Sequence, residues 1–410
     1  MTDLFQFLAR NARWIAGGFL LCFFSSFGQT FFIALSNAEI RQAFDLSHGD
    51  FGVLYMVATL GSAATLPFLG GLLDRYSIMS VSIGVMVMLA LACLALSFAG
   101  SIVMLVLALY LLRLFGQGMM TEISHTAIGK WFVASRGRAI AVSTLGLHFG
   151  TALFPFGFVA ASGAFGWRGA WVVGAGVVLV LSLPVIAALV RRERDPVASE
   201  PPSTDKTPVR DWSRREVLGD PRFYVALLGV LAPPFIGTTI FFHQVYLTEL
   251  KGWPLETYAL GFTVMSVTTV IVTLITGSLI DRFTSVRLLP SFLLPLAGAC
   301  FLAAFGHGIW TIFAFMALLG FSTGLSSTLL GSLWPELYGA AHLGAIRSIV
   351  LSAAVLATAV GPGITGFLID YGVSYEAQLA VMGLYSLIAA VAMFGLSRRI
   401  AAGQPSYAHH

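Results

Sequence analysis

Residues 70–75 read Gly-Gly-Leu-Leu-Asp-Arg, and residues 277–282 read Gly-Ser-Leu-Ile-Asp-Arg. The two stretches lie 207 residues apart, and the same offset carries Gly137 onto Gly344 and Pro155 onto Pro362. Scattered identities between two apolar halves mean little. A G-x-L-x-D-R element that closes an apolar run in each half points to an internal repeat. Such a repeat predicts two helical bundles related by an axis along the membrane normal.

The composition agrees. Of 410 residues, 57% are hydrophobic and only 10% charged, with a mean hydropathy of +0.87. Soluble domains carry about 25% charged residues. A chain this oily cannot cover a water-facing surface, which excludes a soluble enzyme, a disordered chain and a nucleic-acid-binding domain. Crossing the hydrocarbon takes about 20 mostly apolar residues. Twelve runs qualify, near 14–35, 50–72, 78–99, 102–128, 137–160, 168–190, 222–248, 256–281, 286–305, 309–333, 344–368 and 374–397. The first has no small-residue cleavage site and reads as a retained helix. Cys22, Cys93 and Cys300 all sit in apolar runs and read as packing residues.

Between Arg191 and Pro221 the chain turns charged and rich in Pro and Ser, beginning RRERDPVASEPPSTDK. Ser213 and Glu216 have capping-box spacing for a short surface helix. The expected organisation is therefore a six-helix bundle over 1–190, a cytoplasmic linker over 191–221, a second six-helix bundle over 222–400 and a tail over 401–410. Basic residues set the orientation. With the N-terminus inside, the cytoplasmic side holds Arg10, Arg13, Arg75, Lys130, Arg136, Arg138, Arg282, Arg287, Arg347, Arg398, Arg399 and the linker. Only Arg41, Arg168 and Lys251 fall outside. That asymmetry predicts two cytoplasmic termini. It also accounts for the pI near 9.0 without a nucleic-acid partner.

These residues carry a family resemblance over nearly the whole chain. The Asp74-Arg75 element resembles the loop signature of the major facilitator superfamily, although Tyr76-Ser77-Ile78-Met79 replace its usual Gly and basic residues. Arg113 followed by Gly116 and Gly118 looks like that family's span-4 signature. Lys130-Trp131-Phe132, Arg136-Gly137-Arg138-Ala139, Gly146 and Gly150 resemble its monocarboxylate-porter-like branch. The stretch NARWIAGGFLLCFFSSFGQTFFI is similar to a bacterial group holding a copper importer for cytochrome oxidase assembly and riboflavin transporters. The resemblance implies a multi-pass protein of the bacterial inner membrane. It further implies a monomer without cofactor or enzymatic activity, moving a small-molecule substrate by alternating access, with a proton as the candidate coupling ion. Asp74, Arg75, Asp281 and Arg282 would then be cytoplasmic gate latches; the alternative is that they only fix topology and cap helix ends.

Charges inside hydrocarbon are costly and mark function by default. Arg113 lies near the middle of span 4. Its five fixed donors suit a carboxylate or phosphate, or else a structural ion pair. On a straight helix Gln117 and Ser124 share its face, and Glu122 does not. Glu122 is the candidate proton carrier, the alternative being a pair with an Arg such as Arg138. His148, His243 and Tyr246 are further candidates. Thr239 shares a face with His243 on span 7, which Pro233-Pro234 is expected to break. Ser25, Gln29, Phe32 and Ser36 have the spacing of a polar stripe on span 1.

Two short motifs are spurious. Gly361-Pro362-Gly363-Ile364-Thr365-Gly366 spells G-x-G-x-x-G without a preceding strand, and Gly320-Phe321-Ser322-Thr323-Gly324 spells G-x-S-x-G inside an apolar run. No Walker A sequence is present. Copper would want facing Met, Cys or His pairs. Pro233 and Gly237 stand about where the copper-importing relatives' span-7 Met pair would be, and Gly261 stands four residues before Met265. The reading is a transporter of a small organic anion such as a monocarboxylate. A heteroaromatic vitamin such as riboflavin, or copper, is the alternative. Predicted substrate contacts are Gln29, Arg113, Gln117, His148, Thr239, His243 and Tyr246, and no metal site is predicted.

Overall fold

The computed structural model describes residues 2–132, 136–192, 194, 212–339 and 343–403. Among them every regular element is a helix. Ten helices are long and apolar enough to cross a membrane, and a bent pair, Ala9–Gly28 with Thr30–Phe44, adds an eleventh. The longest, Arg138–Val190, spans 53 residues and turns at Gly166, whose φ of +71° is left-handed. Only glycine adopts that conformation at little cost, so this element is two crossings, and the described residues make twelve.

We number them α1 (Ala9–Gly28 and Thr30–Phe44), α2 (His48–Gly70), α3 (Ile78–Ser97), α4 (Ile102–Trp131), α5 (136–165), α6 (167–190), α7 (Pro221–Phe242), α8 (Leu255–Phe283), α9 (Ser285–Phe305), α10 (Trp310–Tyr338), α11 (Leu343–Asp370) and α12 (Tyr375–Gly403). Local sequence starts several of them. Ser47 and Asp50 form a capping box on α2, and the Ser77 and Ser101 side chains accept N–H bonds at the starts of α3 and α4. These contacts satisfy amides that have no partner within the helix. The expected Ser213–Glu216 capping box opens a short helix, Arg214–Leu218.

The chain divides into two compact units. One comprises residues 1–205 with Phe242–Tyr246; the other comprises 206–241 and 247–410. The short segment after α7, which sequence places in the second bundle, thus groups with the first.

In the first unit, α5 lies directly on α1. A Cβ on Gly146 would sit 2.0 Å from the Phe19 carbonyl oxygen, and one on Gly150 2.6 Å from that of Phe23. In the second unit, α10 lies as closely on α8. A Cβ on Gly320 would sit 2.3 Å from Met265 O, and one on Gly324 2.8 Å from Thr269 O. Small residues provide this approach because lipid gives helices no hydrophobic reason to associate, leaving van der Waals packing to hold them. The G-x-S-x-G and G-x-G-x-x-G stretches therefore serve packing. Gly361 meets α7 at the Thr239 hydroxyl.

Basic side chains close the ends of matching helices. Arg168 Nη1 donates to the carbonyls of Ser97 (2.5 Å) and Ala99 (3.0 Å) past the end of α3. Lys251 Nζ donates to Ala304 O at the end of α9 (2.6 Å) and lies 3.7 Å from Glu376. Ala304 is the 207-residue counterpart of Ser97. Cations at helix C-termini satisfy free carbonyls and oppose the dipole.

Three expectations need correction. Pro233 and Pro234 lie inside a continuous α7, and the interruption falls at His243. Membrane helices tolerate proline inside them; Pro233 and Pro234 remove the N–H donors that would have met the carbonyls of Gly229 and Val230, yet the helix continues through them. The stripe Ser25, Gln29, Phe32, Ser36 is not one helical face, because α1 breaks at Gln29. Nor is α4 a straight α-helix: Leu112–Met120 is π-helical.

Candidate functional site

The break in α1 and the π-helical stretch of α4 meet. Residues Ser25–Gly28 form a 3-10 turn, Gln29 is extended (φ −80°, ψ 149°), and the helix resumes at Thr30 with a 44° bend. Gly28 and Gly116 make the contact. A Cβ on Gly28 would lie 2.2 Å from Leu112 O, and a Cβ on Gly116 2.6 Å from Gly28 Cα. An interrupted helix frees backbone groups that then need partners, and π-bulges and broken membrane helices recur at functional sites.

Arg113 fills this junction and is only 5% exposed. Its Nη1 donates to Gly28 O at 3.4 Å and to Thr30 Oγ1 at 3.2 Å. Thr30 Oγ1 in turn shares a 2.7 Å bond with Tyr55 Oη. The guanidinium carbon stands 5.4 Å from the centre of the Tyr55 ring, a cation–π distance. Both hydrogen bonds are longer than the 2.7–2.9 Å typical of charge-assisted pairs, and Arg113 Nε has no partner. Among the described residues no carboxylate lies within ion-pair distance of it. The site is thus a buried cation with donor capacity to spare. Buried charges ordinarily need a counter-charge.

Gln29 and Gln117, which follow Gly28 and Gly116 in the chain, are half-buried. Ser124 Oγ reaches Gly18 O at 2.8 Å, so Arg113 and Ser124 both face α1. Thr30 and Tyr55 were not singled out from sequence. Tyr55 stands on α2 among mainly apolar neighbours, and a phenol there was the available signal.

His243 and Tyr246 gather elsewhere in the same unit, beside His48 at the start of α2. The His48 ring is 4.4 Å from that of Tyr246 and 6.0 Å from that of His243. Phe242 joins this cluster to the first, its ring lying 4.8 Å from Tyr55 and 5.2 Å from Phe51. Asn37 Nδ2 donates to Phe242 O, and Gln244 Nε2 donates to Phe31 O. His148 lies midway between Gly146 and Gly150, half-buried on the side of α5 turned away from α1. Thr239 belongs to the second unit, where its hydroxyl is committed to Phe235 O at 2.7 Å.

Glu122 is exposed and accepts a 3.2 Å bond from Thr126. Arg138 does not pair with it; its guanidinium stands over Phe7 at 5.6 Å. At the loop elements, Arg75 is exposed and Arg282 stands over Phe283 at 5.2 Å. The side chains of Asp74 and Asp281 lie outside the described residues. Lys130 Nζ donates to Leu73 O at 2.7 Å, tying the end of α4 to the first loop element. Among the described residues no group of three or more His, Cys, Asp or Glu could hold a metal ion.

The Major Facilitator Superfamily model matches residues 18–261 and 236–407. The chain belongs to this superfamily. As a major facilitator protein it is a multi-pass membrane transporter. Two solved structures share its fold, both of a bacterial homolog of the human lysosomal transporter Spinster. The inward-facing, unoccupied form has a TM-score of 0.75 at 17% identity, over 97% of this chain and 99% of that one. The inward-facing, occupied form has a TM-score of 0.73 at 16% identity, over 95% and 98%. No curated protein matches the chain. In this major facilitator protein the repeat is unequal where it matters. The 207-residue counterpart of Arg113 is Gly320, pressed against Met265, and α10 is an unbroken α-helix. The buried cation therefore belongs to one half alone.

Proposed function

We propose that this protein carries a small organic anion, a monocarboxylate first, across the inner membrane of a bacterium by alternating access. Both termini would be cytoplasmic and a proton would be the coupling ion. The observation that supports the anion is Arg113, a buried guanidinium with long hydrogen bonds and an unpartnered Nε. A carboxylate reaching it gains charge-assisted, two-point hydrogen bonding in a medium of low dielectric. Gln29 and Gln117, which follow Gly28 and Gly116 in the chain, remain candidates for neutral donors and acceptors beside it. His148, Thr239, His243 and Tyr246 remain candidates for the rest of the substrate. Glu122 remains the candidate proton carrier. Asp74, Arg75, Asp281 and Arg282 remain candidates for the gate.

A planar heteroaromatic such as riboflavin is the second reading. The aromatic cluster favours it: Phe154 stands 4.6 Å from Phe23 and 4.9 Å from Phe27, with Phe23 and Phe154 half-exposed. Copper has no comparable support among the described side chains.

The test is uptake into proteoliposomes. Arg113→Ala is expected to abolish carboxylate uptake while the protein still inserts and folds. Arg113→Lys should keep binding but raise KM, because an ammonium lacks the guanidinium fork. Normal KM in Arg113→Ala would remove Arg113 from the site.

A further inference from the structure

The first unit has a concave feature lined by residues of α2, the turn that follows it, α3 and α4. It is a groove of about 330 Å³, walled by Leu69, Leu72, Val85, Met88, Phe115 and Met119. Its floor is open at Gly84, where an added Cβ would meet nothing within 4 Å. Among the described residues Tyr76 and Ser80 form its polar margin. Tyr76 is 61% exposed, and the adjoining Arg75 is exposed as well. An apolar slot that ends at a phenol and a hydroxyl, with the exposed Arg75 next to that phenol in the chain, matches a phospholipid: acyl chain inside, headgroup at the rim. The cation selects the headgroup. Basic residues at the cytoplasmic surface attract anionic lipid, and tyrosine sits well where tail meets headgroup.

The groove also touches the transport site from behind. Phe115 and Met119 belong to the same π-helical stretch, Leu112–Met120, that carries Arg113. A chain packed against them fills the void behind that stretch, and packed neighbours are what hold an irregular segment in one arrangement.

We propose that this groove binds one acyl chain of an anionic phospholipid, with its phosphate on Arg75, and that its occupancy supports the segment presenting Arg113. Binding of the lipid stands apart from the anion reading; its effect on uptake rests on that reading.

The experiment compares phosphatidylglycerol with phosphatidylcholine, counting retained lipid by native mass spectrometry of protein taken from vesicles of each composition. The intact protein should retain phosphatidylglycerol preferentially. Arg75→Gln should weaken its retention about fivefold, the value of one basic contact near a membrane surface. Gly84→Leu, whose Cβ would meet nothing within 4 Å, puts a side chain into the groove and should reduce retention of both lipids. It should also raise the KM for carboxylate uptake in phosphatidylglycerol vesicles. Equal retention of the two lipids by the intact protein, or undiminished retention in Gly84→Leu, would overturn the lipid site. Reduced retention with unchanged KM would keep the site and refute its link to Arg113. If carboxylates are not transported at all, the retention measurements still decide the groove, and only the anion reading falls.

Discussion

Gly28 and Gly116 touch backbone to backbone, their surroundings leaving 2.2 Å and 2.6 Å for any added Cβ. This one contact seats the break of α1 on the π-helical stretch of α4. It sets where Arg113 can reach.

Gly28→Ala and Gly116→Ala should each force the two helices apart. Overpacking of this kind costs about 1–3 kcal/mol. We expect a lower melting temperature in detergent together with lost uptake. Gly157→Ala, at an exposed position where a Cβ meets nothing within 4 Å, serves as the control and should melt as the parent does. Equal melting of all three proteins would contradict the contact.

Tyr55→Phe keeps the ring beside Arg113 and removes the hydroxyl bonded to Thr30. One hydrogen bond is worth about 1 kcal/mol. The expected outcome is a KM about fivefold higher with an unchanged maximal rate, read from initial uptake rates. Tyr55→Leu removes the cation–π partner too and should raise KM further.

Arg168→Gln removes the guanidinium that ties α6 to the last carbonyls of α3. Hydrogen bonds to charged groups contribute about 1.5–3 kcal/mol. Thermal stability should fall while KM stays put, since none of these atoms touches the Arg113 site. A changed KM with normal stability would reverse that assignment.

Glu122→Gln separates coupling from binding. If Glu122 carries the proton, counterflow exchange continues and accumulation against a gradient stops. Accumulation that survives makes the residue structural, held by Thr126.

Cys22, Cys93 and Cys300 are all buried, so the folded protein should resist membrane-impermeant maleimide. Tyr76→Cys and His307→Cys, both at exposed loop positions, should then label from opposite sides of sealed vesicles, Tyr76→Cys from the cytoplasmic one. Labelling of both from one side would refute the orientation read from the basic loops.

Much of the fold was legible because hydropathy and basic-loop bias act residue by residue. The site was less so. The α1 stripe failed because its spacing assumed helix through Gln29, and the α4 geometry assumed a uniform turn through Leu112–Met120. The two prolines of α7 suggested a break, but the helix runs through them, while the interruption falls at His243, which no residue-type rule announces.

The sequence by itself determined that this is a twofold-repeated membrane chain of twelve crossings with one intramembrane arginine, because transfer into lipid is a local sum over side chains. Only the tertiary structure decided what that arginine touches. Thr30 and Tyr55 are 25 residues apart, Gly28 and Arg113 85 apart. Their meeting depends on two glycines that let a broken helix press into a widened one, and packing at that distance leaves no period in the sequence to read.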